Sequence, residues 1–88
     1  MADPEMAARD VALALLEARA PDRTVCPSEV ARALAAASGE IVWRSTMPTV
    51  HAAIDTLLAE RLVQLSWKGK SLAIRAGPYR IGRNAIRQ

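Results

Sequence analysis

The stretch WRSTMPTVHAAIDTLLAERL, residues 43–62, is the most organised piece of this chain. Its large apolar side chains recur at steps of three and four residues, which is the spacing of one helix face. Ser45 or Thr46 can cap the helix, and Pro48 is tolerated because first-turn amides have no partner inside a helix. The pattern therefore predicts a helix over residues 45–60. Its apolar face consists of Met47, Val50, Ile54, Leu57 and Leu58.

Two further helices are predicted upstream of this one. The first covers residues 4–19, with Val11 and Leu15 on its inward side. The second covers residues 27–37 and stops before Gly39, which can adopt a left-handed cap. Both helices are rich in alanine, so we expect the three helices to pack closely around one apolar centre.

Downstream, apolar and polar residues alternate around a glycine. The segment LVQLSWKGKSLAIR predicts a β-hairpin over residues 62–75, with Gly69 in its turn. Residues 76–88 are expected to form a short C-terminal tail, in which Tyr79-Arg80-Ile81 can add a short extended piece. A β-prone segment at residues 24–26 can pair with the hairpin as a third strand. The predicted fold class is mainly α with a small antiparallel sheet, a single winged helix-turn-helix domain over residues 1–88.

Several short motifs carry a resemblance to a known family. They are Pro-Ser-Glu-Val-Ala-Arg at 27–32, Trp-Arg at 43–44, Met-Pro at 47–48, Gly-Lys at 69–70 and Gly-Pro-Tyr-Arg at 77–80. Together they make the chain similar to an uncharacterised family of short bacterial proteins, domain-of-unknown-function family 3253. The resemblance covers nearly the whole chain and implies a winged-helix-like fold. It implies no catalytic or binding residues.

Composition argues against several classes of function. No apolar run approaches the roughly 18 residues that a membrane span needs, and the acidic N-terminus lacks the basic start of a signal peptide. A single cysteine cannot form an internal disulfide, so we expect a cytoplasmic protein. The one histidine, His51, and the one cysteine, Cys26, are predicted on different helices. We therefore expect no enzyme, no metal site and no cofactor; the alternative is a reactive thiol at Cys26, just before a helix start.

Charge is divided unevenly along the chain. Residues 1–60 hold nine acids and five arginines, whereas residues 61–88 hold seven basic residues and no acid. A stretch of one sign attracts polyanions. The first hypothesis is therefore that the partner is double-stranded DNA, with the protein acting in transcription regulation or as a nucleoid-associated accessory. A solubilising tail is the alternative interpretation of the basic end.

The candidate DNA contacts lie at the start of helix three and after its end. Residues 45–60 contain no Arg, Lys, Asn or Gln, and their outer face includes Ala53, Asp55 and Glu60, so this helix is a poor reader of base edges. We expect phosphate contacts instead, from the first turns of the helix, the hairpin wing and the tail. The predicted contact residues are Arg44, Ser45, Thr46, Thr49, His51, Lys68, Lys70, Arg75, Arg80 and Arg83.

Some of these positions also have a structural interpretation. Arg44 can pair with Glu40 or with an acid of the first two helices, and Trp67 can cover the core beneath the hairpin. Glu29 and Arg32 have the spacing of a solvated helix pair. The acids on the outer side of helix three favour a second hypothesis. In that case the domain is a protein–protein interaction module, or a homodimer, that does not bind DNA.

Overall fold

The computed structural model of the protein describes residues 3–39 and 41–84. Within these ranges three α-helices and one 3-10 turn pack with a three-stranded antiparallel sheet, so the predicted winged-helix-like fold class is confirmed. None of the helices described there is long and apolar enough to cross a membrane. The elements are α1 (Pro4–Glu17), α2 (Pro27–Ser38), the 3-10 turn (Trp43–Thr46), α3 (Met47–Ala59), β1 (Val63–Trp67), β2 (Lys70–Leu72) and β3 (Arg80–Arg83).

The first helix begins where the sequence predicts and ends two residues early. The Asp3 carboxylate accepts a hydrogen bond from the Glu5 amide at 3.0 Å, which caps α1. The helix ends at Glu17 rather than at residue 19. Arg19 follows in a tighter turn, and its guanidinium reaches across to pair with Glu29 of α2.

The third helix begins two residues later than predicted. The Ser45 and Thr46 hydroxyls each donate to the backbone carbonyl three residues earlier, at 2.8 and 2.7 Å. These bonds stabilise a 3-10 turn, because a hydroxyl that donates backwards does not cap the amides ahead of it. The α-helix therefore covers Met47–Ala59 and not residues 45–60.

Helices α2 and α3 both end at a left-handed residue. α2 runs one residue further than predicted, to Ser38, and Gly39 follows with φ 78°. After α3 the left-handed position is occupied by Arg61, with φ 60°. The Leu62 amide donates to the Leu57 carbonyl at 3.0 Å, which completes a Schellman motif and turns the chain towards β1.

Helix α1 contributes mainly small side chains to the core. Ala8, Ala12 and Leu16 are buried, whereas the predicted inward residues Val11 and Leu15 are half-buried at its edges. Alanine at the contact lets α1 approach α3 closely, and this leaves the larger side chains on the flanks. The largest fully buried side chains of the domain are Ile54, Leu57, Leu65, Ile81, Val25, Val30, Val50 and Val63.

Strand β1 is central in the sheet, in the order β2-β1-β3. The hairpin is shorter than the predicted residues 62–75, because its second strand ends at Leu72. Strand β3 pairs antiparallel with the other side of β1 and comes from residues 76–88, the predicted tail. Tyr79 and Ile81 in this segment are 4% and 0% exposed. The described part of the segment therefore belongs to the core and differs from the tail that the sequence predicts.

The segment at residues 24–26 also pairs differently from the prediction. Val25 exchanges two backbone hydrogen bonds with Ile81, at 2.7 and 2.8 Å, and so joins β3 instead of the hairpin. The reason is that β1 already has β2 on one side and β3 on the other. Val25 therefore extends the sheet at the outer edge of β3 and links the α1–α2 connection to the C-terminal strand.

Candidate nucleic-acid interface

One flank of α3 is covered by α1. The Thr56 hydroxyl donates to the Glu5 carboxylate at 3.1 Å, and Arg9 forms an ion pair with Glu60. Thr49 is half-buried on this flank, next to the acidic start of α1. Carboxylates beside Thr49 disfavour a phosphate there, because like charges repel. The structure therefore gives Thr49 a poor environment for the phosphate contact that the sequence predicts.

The other flank of α3 is covered by residues 73–79, which follow the hairpin. Arg75 donates to both carboxylate oxygens of Asp55, at 2.9 and 3.0 Å. Further along, the Tyr79 hydroxyl lies 2.7 Å from Nδ1 of His51. Residues 73–79 therefore run along α3 from its second half, at Asp55, towards its first half, at His51. They cover the side of α3 on which Asp55 and His51 lie.

Only a narrow stripe of α3 remains exposed between the two covered flanks. Ala53, which the sequence predicts on the outer face, is 1% exposed, because it faces the buried side of the helix. None of the exposed side chains is a donor for a base edge, and the one carboxylate among them is already paired. The exposed stripe consists of Pro48, Ala52, Asp55 and Ala59.

His51 is half-buried and held neutral by its surroundings. Burial lowers the pKa of the imidazole, and the positive charge of Arg75 lowers it further. Burial also raises the pKa of Tyr79 to about 12, so the phenol keeps its proton. The pair is a neutral hydrogen bond that fixes β3 to α3. His51 therefore makes a structural contact within the domain, and the phosphate contact that the sequence predicts for it stays a prediction.

Two further arginines of the predicted set bind the protein's own backbone. Arg80 donates to the Thr24 hydroxyl at 2.7 Å and to the Thr24 carbonyl at 3.3 Å. Arg83 donates to the carbonyls of Leu16 and Arg19, at 2.9 and 3.2 Å, where a cation complements the C-terminal end of α1. Together with Arg75, these side chains fasten the C-terminal segment to the helices.

The connection between α1 and α2 is held by an ion pair that the sequence does not predict. Arg19 pairs with Glu29, in place of the predicted pair of Glu29 with Arg32. The guanidinium of Arg19 lowers the pKa of Glu29, and a second carboxylate oxygen accepts the Cys26 amide at 3.1 Å. This bond caps the start of α2. Arg32 is consequently available for another contact.

That contact is with Trp43. The central guanidinium carbon of Arg32 lies 4.7 Å from the Trp43 ring centroid, and that of Arg44 lies 4.6 Å from it. Trp43 is half-buried and packs against the core, while both arginines are exposed. The predicted pairing of Arg44 with Glu40 lies outside the described residues. Ten residues lie between Arg32 and Trp43, so no local spacing rule predicts this contact.

The tip of the wing is exposed and positively charged. Lys68 and Gly69 form a two-residue turn with φ 52° and 83°, between the paired residues Trp67 and Lys70. Trp67 is 38% exposed, because it lies at the end of β1 beyond the core residue Leu65, and so it does not cover the core as expected. Neither lysine forms a hydrogen bond or ion pair with a residue in the described ranges.

The cysteine and the histidine have separate hydrogen-bond partners. The Cys26 thiol lies 3.1 Å from the Ser28 hydroxyl, whereas His51 is engaged with Tyr79. In residues 3–39 and 41–84, no three His, Cys, Asp or Glu side chains are grouped as a metal site requires.

The chain belongs to the family described as "Protein of unknown function (DUF3253)", whose model matches residues 5–84. The match begins in α1 and extends past β3, so it includes every element described above. No curated protein matches the chain.

Proposed function

We propose that this winged-helix domain binds double-stranded DNA through its phosphate backbone. It acts in the cytoplasm, in transcription regulation or as a nucleoid-associated accessory, and it has no catalytic activity, cofactor or metal. The observation that carries the proposal is the wing tip, where Lys68 and Lys70 project beside the exposed ring of Trp67 with no partner in the described part of the chain. Unpaired lysines on a narrow, protruding turn are suited to phosphate contact.

The backbone of Lys68 supports this interpretation. Its φ of 52° belongs to the left-handed region, which costs a non-glycine residue about 1–2 kcal/mol. Asn or Gly is the usual choice at this position of a two-residue hairpin turn. A lysine placed there sacrifices stability, and a requirement for positive charge at the tip accounts for that choice.

The surface of α3 argues for binding with little sequence reading. Its exposed stripe carries no donor for base edges, so contact with α3 would not distinguish one sequence from another. Asp55 and Glu60 are paired with Arg75 and Arg9, which reduces the repulsion that unpaired acids would exert on phosphates. The expected binding is weak and strongly dependent on salt.

A fluorescence anisotropy titration with a short DNA duplex tests the proposal. We expect binding at about 50 mM salt that weakens steeply towards about 200 mM. Lys68→Gln with Lys70→Gln should weaken it, whereas the matched variant Lys68→Arg with Lys70→Arg keeps both charges and should retain it. Absence of binding at low salt, or equal affinity of the Gln and Arg variants, would contradict the proposal.

A second candidate function is protein–protein interaction, including homodimerisation. The observation that favours it is a set of exposed apolar side chains: Ile41 is 93% exposed, Val42 58% and Ile74 72%. Exposed aliphatic residues mark interaction surfaces when they form one patch. Sedimentation of the purified domain tests for a dimer, and a nuclease-treated pull-down tests for another protein. A stoichiometric partner that is lost in Ile41→Asp but retained in Lys68→Gln would favour this function over DNA binding.

A further inference from the structure

We propose that Arg32, Trp43 and Arg44 form a phosphate clamp, a site at which the two guanidiniums bind the backbone of a DNA duplex. The inference rests on the proposed function and assigns it a second contact region, distinct from the wing. Arg44 alone was among the contacts predicted from the sequence. The structure adds Arg32, which comes from α2, and the indole that holds both side chains in place.

The geometry of the clamp brings two like charges together. The guanidinium carbons lie 4.7 and 4.6 Å from one ring centroid, so they cannot be more than about 9 Å apart. Both side chains are exposed, and neither forms an ion pair with a carboxylate in residues 3–39 or 41–84. Two neighbouring cations with no counter-charge among the described residues create a local potential that attracts an anion.

The contrast with other arginines of the domain supports a binding role. Arg9, Arg19 and Arg75 each pair with a carboxylate. Arg32 and Arg44 instead contact the ring of Trp43, an attraction that leaves their charge without a carboxylate partner in the described part of the chain. The half-buried indole restrains both side chains before any ligand arrives. Less side-chain freedom is then lost when a phosphate binds.

The chemistry of the guanidinium is suited to a phosphate. When a guanidinium packs with its face against a ring, the N–H donors along its edges stay available for an anion. Those donors match the oxygens of a phosphate, which they can bind two at a time. Two guanidiniums this close can contact one phosphate or two neighbouring phosphates of a strand.

The source of the phosphate is inferred from a second cationic site on the same domain. At the wing tip, Trp67 is likewise accompanied by two cations, Lys68 and Lys70. The domain is 34 Å long in its largest dimension, and a duplex presents phosphates continuously over such a length. A free phosphate ion gains nothing from two separate cationic sites, whereas a polyanion such as a duplex is attracted by both.

The first test measures how DNA affinity changes with salt in a set of variants. Arg32→Gln with Arg44→Gln should reduce the slope of log K against log salt by about 1.8, since each lost phosphate contact removes about 0.9. Arg32→Lys with Arg44→Lys keeps the charge and should keep most of the slope. The matched control is Arg23→Gln. Arg23 lies beside Gln64 and Gly82, at the end of β1 that is opposite the wing tip. The slope of this variant should equal that of the wild type.

The second test observes the two arginines directly by NMR, through their side-chain Nε–H signals. Adding the duplex to the wild-type domain should shift the signals of Arg32 and Arg44 and leave that of Arg80 in place. Inorganic phosphate at matched ionic strength is the comparison ligand and should cause smaller shifts. Thermal unfolding of the double Gln variant checks that it is folded, and the single Arg44→Gln variant replaces it if it is not.

The results of these experiments test the clamp and the proposed function separately. If the duplex binds and the wing variants weaken it, but the Gln variant of the clamp keeps the full slope, the clamp is overturned and DNA binding stands. If inorganic phosphate shifts the signals of both arginines and the duplex does not bind, the hypothesis that the duplex is the ligand is wrong. If the slope falls and both signals move only with duplex, the clamp is supported.

Discussion

The wing tip and the segment that follows it carry the same sign of charge and use it differently. Lys68 and Lys70 extend from the hairpin turn without a partner in the described residues. Arg75, Arg80 and Arg83 follow in the next 13 residues, and each binds a group of its own chain. The net charge of a segment therefore does not reveal its partner. A guanidinium next to a free carbonyl or carboxylate is fixed internally, while an ammonium on a projecting turn stays available.

The largest expected effect concerns the C-terminal segment, because Ile81 in this segment is buried in the core. Ile81→Ala should lower the free energy of unfolding by about 2–5 kcal/mol, because a fully buried side chain is lost at the junction of β1, β3 and Val25. Chemical denaturation measures the loss. The control is Ile74→Ala, at an Ile that is 72% exposed, and it should change stability by less than about 0.5 kcal/mol. Equal losses in the two variants would contradict the assignment.

A smaller loss is expected at the arginine that holds the end of α1. Arg83→Gln should destabilise the domain by about 1.5–3 kcal/mol, because the carbonyls of Leu16 and Arg19 lose a charged donor. Urea denaturation measures the loss, and Arg23→Gln is the control. If Arg83→Gln instead left stability intact and weakened DNA binding, Arg83 would contact DNA as the wing-tip lysines do. The distinction between the wing tip and the segment that follows it would then be wrong.

These two cases show what the sequence predicts and what it does not. The apolar repeat of Ile54 and Leu57 predicts α3, and Gly69 among alternating residues predicts the hairpin, because both signals are local. The sequence predicts β3 only as a short extended piece within a tail, since Gly-Pro precedes it and Ile81 pairs with residues far away in the chain. The partners of Arg75 and Arg83 are likewise distant in sequence, so their charges were counted as available for DNA.

The residues of the candidate site likewise differ in whether local sequence predicts their contacts. Lys68 and Lys70 could be predicted because a basic hairpin tip is a local feature. The stacking of Arg32 on Trp43 depends on how α2 packs against the 3-10 turn, and only the fold reveals it. His51 was predicted as a contact from its place on α3, whereas its bond to Tyr79 depends on where residues 73–79 cross that helix.

The third prediction separates stability from binding at the wing tip. Lys68→Asn should stabilise the domain by about 1 kcal/mol, since asparagine tolerates the left-handed conformation better than lysine. The same change should weaken DNA binding through the loss of one charge. Arg61→Gly is the matched control, because it relieves a second left-handed residue, at φ 60°, and should stabilise the domain without weakening binding. Unchanged DNA affinity in Lys68→Asn would remove the wing tip from the interface.

The smallest expected effect is a dependence of stability on pH. The folded state lowers the pKa of His51 below its ordinary value of 6.5, so it binds fewer protons there than the unfolded state. The stability that the folded state gains with His51 neutral is fully present above about pH 6.5. It is lost as the pH falls through the lowered pKa. Urea denaturation at pH 7.5 and at pH 5.5 measures it. His51→Gln should reduce the difference between the two values, and an unchanged difference would show that another group is responsible.

The central claim is that the charges of the wing tip contact DNA phosphates while those of the following segment do not. The most direct measurement is the slope of log K against log salt for three proteins: the wild type, Lys68→Gln with Lys70→Gln, and Asp55→Asn with Arg75→Gln. The last variant removes an internal ion pair without changing net charge. We predict a slope reduced by about 1.8 in the lysine variant and unchanged in the ion-pair variant. An unchanged slope in the lysine variant, or an equal reduction in both, would contradict the claim.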